Sequence, residues 1–316
     1  MTLASPYSLE GKRVWVAGHR GMVGSALVRR LEQENCEILT VTRSELDLRR
    51  QKDVEDWVAA NKPQAVFIAA ATVGGIQANS SRPAEFLYNN LAITTNIIDA
   101  SHQYGVEKLM FLGSACIYPR LAEQPMAESC LWTGPLEPTN EGYAVAKLAG
   151  ITQCKTYRRQ YGRDFVSVIP TNLYGPGDNL DPAASHVVPA MIRKVVLAKK
   201  SGSPVEIWGT GSPRREFLYV DDAADAMVFL MKAYSGEDVI NIGAGEDVSI
   251  KDLAATVADV VGFDGPFEFD TSKPDGMPKK QLESSRLLDL GWRPQVSLRD
   301  GLERTYQWCD AALQGQ

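Results

Sequence analysis

Three observations predict an α/β fold, a Rossmann-type doubly wound parallel sheet with a smaller C-terminal lobe. Apolar, β-branched runs alternate with longer stretches of helical period, the pattern of a parallel sheet wrapped by helices. A glycine-rich turn joins the first run to the first helical stretch. Beyond residue 174 the pattern loosens into Gly/Pro/Asp-rich loops between shorter elements, as expected of a lobe laid over the sheet edge.

Taken in order, residues 13–18 read as the first strand, and the runs at 37–42, 64–70, 107–113 and 165–170 supply the others. Residues 22–34, 53–60, 83–104 and 141–161 carry helical period between them. Loops at 175–182, 201–204, 209–213 and 270–278 interrupt the remainder, yet 239–243 again reads as a buried strand that returns to the first sheet. The expected division is residues 1–174, with the strand near 239–243, as one domain, and 175–316 mostly as the smaller lobe.

A chain of 316 residues, 44% hydrophobic and 23% charged, has ordinary globular composition. A formal charge of −6 argues against a nucleic-acid binder, which needs a basic face, so any anion site must be local. The five cysteines, Cys36, Cys116, Cys130, Cys154 and Cys309, are odd in number and share no metal-type spacing, and two sit in apparent strand segments. No metal is expected, and reduced thiols fit a cytoplasmic protein. No leader or membrane-length apolar run is seen, so a soluble, unexported chain with no membrane partner is expected.

The first turn reads Gly18-His19-Arg20-Gly21-Met22-Val23-Gly24. Between first strand and first helix it places backbone N–H groups and the positive helix end where a pyrophosphate can sit. Its spacing is Gly-x-x-Gly-x-x-Gly, so the strand-turn-helix setting carries the reading more than the glycines do. A carboxylate at the end of the second strand would hold a ribose 2′-hydroxyl; this chain has Arg43 there, and Arg20 lies in the loop itself. Two guanidiniums suit a 2′-phosphate, which favours NADP (NADPH) over NAD; the alternative is that both are solvated surface.

Tyr143 and Lys147, four apart in a helical stretch, share one face. An adjacent ammonium is expected to lower the phenol's ordinary value near 10 and make Tyr143 an acid-base group; the alternative is a core tyrosine beside a snorkelling lysine. The glycine-rich turn, Ser114 after a later strand and Tyr-x-x-x-Lys together resemble the short-chain dehydrogenase/reductase superfamily, in its extended, nucleotide-sugar-modifying branch. The resemblance implies that Ser114 and Tyr143 hydrogen-bond a substrate carbonyl, Tyr143 passes the proton, and Lys147 binds the nicotinamide ribose while tuning the phenol.

Cys116 is the odd feature. In an extended segment it would project the same way as Ser114, two residues before it. Of the three histidines, His19, His102 and His186, the last follows a loop. A thiolate base on one side and an imidazolium acid on the other would epimerise a carbon next to a ketone, with the enolate held by the donors that later guide hydride. A small buried apolar residue is the plain alternative for Cys116, and a helix-start histidine for His186.

The stretches beginning at Gly18, Val73, Gly113, Pro125, Glu137, Pro170 and Arg215 are similar to those of the GDP-L-fucose synthase family, over about residues 11–310. One departure is Ala115, where family members often carry a second serine. The resemblance implies 3,5-epimerisation and NADPH-dependent 4-reduction of GDP-4-keto-6-deoxymannose, with Cys116 as general base and His186 as general acid. It adds Leu48, Pro170, Asn172, Leu173, Lys147 and His186 to the cofactor contacts. It gives Lys194, Trp208, Arg215 and Lys279 to the substrate, with Lys280 adding charge near the diphosphate, and makes the C-terminal lobe the substrate-binding one. A homodimer through the helices at 83–104 and 141–161 is likewise implied. Another nucleotide-sugar 4-epimerase or reductase, and a non-catalytic NADP-binding protein, remain alternatives.

Overall fold

The computed structural model describes residues 6–181, 185–273 and 275–314. Pro182 and Pro274, in two of the expected loops, lie outside them, as do both ends of the expected domain division.

The first half alternates strand and helix: β1 Arg13–Ala17, α1 Met22–Leu31, β2 Glu37–Leu39, α2 Gln51–Asn61, β3 Ala65–Ile68, α3 Ile76–Ser81, α4 Pro83–Gln103, β4 Lys108–Leu112, α5 Glu141–Tyr161 and β5 Asp164–Pro170. The second half holds β6 Asn172–Tyr174, α6 Val187–Ser201, β7 Val205–Trp208, β8 Arg214–Arg215, β9 Phe217–Tyr219, α7 Val220–Ala233 and β10 Ile240–Ile242. After these come β11 Val248–Ser249, α8 Ile250–Val261, β12 Phe267–Asp270, β13 Lys279–Lys280, α9 Ser285–Asp289 and α10 Leu298–Gln314.

Among the described residues the main sheet has six strands in the order β10-β5-β4-β3-β1-β2, every neighbouring pair parallel. The chain steps from β1 to β2 on one side and then to β3 on the other, so the winding reverses between β1 and β3, where open parallel sheets leave a crevice beyond the strand ends. Both faces are covered, which is why these strands read as unbroken apolar runs. Val14 and Val16 pack with Leu27, Met227 and Leu230 on the face under α1 and α7. Trp15 and Ala17 point the other way, onto Val54, Ile97 and Leu148 of α2, α4 and α5. A third core, with Ile192, Val195, Leu253, Val257 and Leu302, holds the smaller lobe together.

Two readings need correction. The segment after β4 is not extended: Ala115–Ile117 form a 3-10 turn capped by Ser114, because the Ser114 hydroxyl accepts from the Cys116 backbone N–H at 3.5 Å. None of the five cysteines lies in a strand; Cys36 precedes β2, Cys116 and Cys130 sit in 3-10 turns, and Cys154 and Cys309 sit in helices. All five are free. No helix among the described residues is long and apolar enough to cross a membrane.

Candidate active site

A cavity of about 1080 Å³ opens at the β1/β3 reversal. Its walls are the glycine turn after β1, the end of β3 at Ala69–Ala71, the turn after β4 with Ser114 and Cys116, and Tyr143 and Lys147 of α5. Arg43 and Leu48, Pro170, Asn172 and Leu173, and Asp178 and His186 complete it.

The glycine turn is shaped by contact. Gly18 has φ +91°, and a Cβ there would fall 2.6 Å from the Ala70 backbone; a Cβ on Gly24 would fall 2.1 Å from the Gly18 carbonyl oxygen. Helix α1 starts at Gly21 with no side-chain cap and no acid in its first turn, so its N-terminal donors are left for an anion. Roominess, bare helix end and two exposed arginines, Arg20 and Arg43, at the rim fit a phosphorylated dinucleotide. Burial and then Arg20 hold the His19 imidazole below its ordinary value.

Ser114, Cys116, Tyr143 and Lys147 converge at the cavity floor. Burial pushes the Tyr143 phenol well up; the negative end of Cys116 adds to this and the Ser114 hydroxyl opposes it. The expected lowering by Lys147 is therefore corrected. The Lys147 ammonium donates to the Leu112 carbonyl at 2.8 Å and lies over the Phe111 ring, 5.8 Å from the centre of the Tyr143 ring. Burial lowers Lys147 to about 8. The Cys116 thiol is likewise raised by burial, and Lys280, Ser114 and Lys147 draw it back down.

His186 begins α6 as its N-cap residue, and Asp178 stands 2.8 Å from its Nδ1. That hydrogen bond raises the imidazole above its ordinary value, against burial.

The residues given to the substrate lie outside this cavity, on the smaller lobe. Lys279 turns onto Asp247 at 2.7 Å, while Lys280, next along β13, is felt by Cys116. This is the alternation of a strand: β13 pairs with β8, setting Lys280 opposite Arg215. Arg215 donates to the Met277 carbonyl at 2.7 Å, and burial lowers it. Trp208 is 62% exposed, with the Lys194 ammonium 5.5 Å from its ring. Lys280 near the thiol and Asp178 beside the imidazole were not assigned to those places from the sequence. Adjacent lysines gave no sign of which faces inward, and the link from 178 to 186 crosses a loop.

The model of the NAD dependent epimerase/dehydratase family matches residues 14–243. A GDP-L-fucose synthase of Sinorhizobium fredii is 56% identical over 302 residues, 95% of this chain and 96% of the relative. One of Escherichia coli is 52% identical over 94% of this chain and 96% of its own length. A GDP-L-fucose synthetase from Naegleria fowleri bound to NADP superposes with a TM-score of 0.90 at 29% identity, covering 99% of each chain. By these matches the chain belongs to the GDP-L-fucose synthases of the NAD dependent epimerase/dehydratase family.

Proposed function

We propose that this protein converts GDP-4-keto-6-deoxy-D-mannose to GDP-L-fucose, epimerising C3 and C5 and reducing C4 with NADPH. The observation that supports this best is the convergence of a thiol, a hydroxyl, a phenol and an imidazole on one cavity that begins at the glycine turn. A simple reductase has no use for the first and last.

Gly18, His19, Arg20, Gly21, Met22, Val23 and Gly24 would cradle the pyrophosphate of NADPH, with Arg43 at the 2′-phosphate and Leu48, Pro170, Asn172, Leu173 and His186 along its length. Lys147, its ammonium anchored by one hydrogen bond to the Leu112 carbonyl, would hold the ribose hydroxyls. When bound, NADPH supplies the hydride for the ketone carbon.

Ser114 and Tyr143 donate hydrogen bonds to the C4 ketone. Cys116 as thiolate takes the proton from C3 or C5, leaving an enolate whose oxygen stays on the same two donors. His186 as imidazolium returns a proton from the opposite face. Repetition at the other carbon gives the inverted sugar, and Tyr143 then protonates the C4 oxygen as reduction proceeds. The raised thiol makes the thiolate a minority form in the free protein, which the ammoniums of Lys280 and Lys147 help to populate. Arg215, Lys194, Trp208 and Lys279, on the smaller lobe, would hold the GDP portion; Arg215 can grip a diphosphate bidentately.

Purified protein mixed with NADPH and the keto sugar should consume NADPH stoichiometrically and yield GDP-L-fucose; redox-neutral conversion or no turnover would sink the reading. Cys116→Ser should slow epimerisation by about 10²–10⁴-fold while unepimerised ketone is still reduced, measured by deuterium entry from solvent and by the sugar formed. A variant that epimerises at the parent rate removes the thiol from the mechanism.

The same reading includes a homodimer through α4 and α5. Tyr88 and Val145, exposed at 63% and 41%, lie on those helices, as does Tyr161. Sedimentation at the mass of one 34.6 kDa chain would contradict it. Five cysteines, odd in number and all free, fit a cytoplasmic site of action.

A further inference from the structure

Asp178 is a carboxylate that the chemistry above leaves unused. It follows Gly175 and Gly177 in the loop after β6, and its side chain is 2% exposed. Both glycines are needed for the loop's path. Gly177 has φ +88° and a Cβ there would press on Met22 and Ser25 of α1 at 3.3 Å; Gly175 has φ +147° and a Cβ there would meet Val220 of α7 at 2.5 Å. The loop is thus seated on the helix that opens the cofactor cradle. From it Asp178 Oδ1 accepts from the Asn179 backbone N–H at 2.7 Å and faces His186 Nδ1 at 2.8 Å. Oδ2 is buried with no hydrogen-bond partner among the described residues. Burying a carboxylate this way is costly unless a cation faces it.

We infer that Asp178 is the positioning residue for His186: it accepts from Nδ1–H and thereby leaves Nε2–H as the proton that the ring can give to the sugar. This rests on the proposed role of His186. In the step, the Nε2–H bond breaks, a C–H bond forms at the enolate carbon, and neutral imidazole remains, to be reprotonated from water. The Asp178 charge favours the imidazolium before the step, in line with the upward shift of the ring. Asp178 is the only titratable group that acts on His186 among the described residues, and burial and then the Asp178 charge raise the Cys309 thiol of α10.

Asp178→Asn keeps the size and removes the charge, and it should be compared with the parent and with His186→Gln. Histidine NMR titration of the whole protein, assigned by the missing signal in His186→Gln, should show His186 titrating lower in Asp178→Asn. With NADPH and the keto sugar in deuterated water, inversion at C3 and C5 should fall at least tenfold at pH 8 and recover in part toward pH 6. Deuterium entry without inversion, through Cys116, should persist. Unchanged titration of His186, or parent-like inversion at pH 8, overturns the assignment of Asp178. Equal loss of exchange and inversion marks a scaffold defect and overturns it too. If His186→Gln itself inverts normally, the role of His186 falls and Asp178 with it; if His186→Gln is impaired and Asp178→Asn is not, only the present inference falls.

Discussion

At the scale of single residues, burial competes with charge; burial leads at Tyr143, Cys116 and Lys147, and the Asp178 hydrogen bond leads at His186. Tyr143, Cys116 and Lys147 are all displaced toward their neutral forms by desolvation, with neighbouring charges opposing for the thiol and the amine. Lys147 gives the clearest pH consequence. It is charged below about 8 and neutral above. If its ammonium holds the ribose, kcat/KM for NADPH should decline as pH rises through that value, and Lys147→Arg should remove that limb of the profile. The unfolded chain keeps the proton up to the ordinary 10.5, so stability should rise between about 8 and 10.5 as the buried amine loses its charge. Urea unfolding across that range checks the sign; a fall in stability would contradict the burial.

At the scale of elements, the site depends on how closely α5 approaches β4. Gly150 faces the Phe111 ring, and a Cβ there would fall 2.4 Å from Cζ of a ring that is fully buried. Phe111 precedes Leu112, whose carbonyl holds Lys147. Gly150→Ala should therefore cost about 1–3 kcal/mol by overpacking and slow ketone reduction, because pushing α5 outward moves Tyr143 and Lys147 away from Ser114. Denaturant midpoints and single-turnover hydride transfer measure the two effects. An alanine variant as stable and as fast as the parent would mean that the contact gives way elsewhere. The pairing of Tyr143 and Lys147 on one helix face was legible from spacing alone. That the ammonium also donates to a strand-end carbonyl was not, since it needs the distance between α5 and β4.

At the scale of the whole molecule, a buried polar tie joins the two lobes. Glu216, fully buried, accepts from the backbone N–H groups of Gly245 and Leu282, both at 2.9 Å. Asn241 of β10 accepts from the Tyr118 hydroxyl at 2.7 Å and donates to Met126 and Glu283 carbonyls. The turn bearing Cys116 and the segment bearing Lys280 are thus anchored to the same strand end. Glu216→Ala would strand two buried donors at about 1–3 kcal/mol each. KM for the GDP-sugar should rise while KM for NADPH holds, because Arg215 and Lys280 flank this anchor and the glycine turn does not. Equal changes in the two KM values would count against separate seats for cofactor and sugar.

Local pattern determined the winding of the sheet, the glycine turn, the Tyr–Lys helix face and the family motifs, because period, turn chemistry and spacing act over a few residues. It also marked Cys116 and His186 as unusual, though for Cys116 through an extended geometry that the 3-10 turn replaces. Only the tertiary structure decided which of two adjacent lysines faces the thiol, which carboxylate meets the imidazole, and that desolvation outweighs the ammonium at Tyr143. Those outcomes depend on distances between segments far apart in the chain and on how much water the packed lobes exclude, and neither quantity is written in any short stretch of sequence.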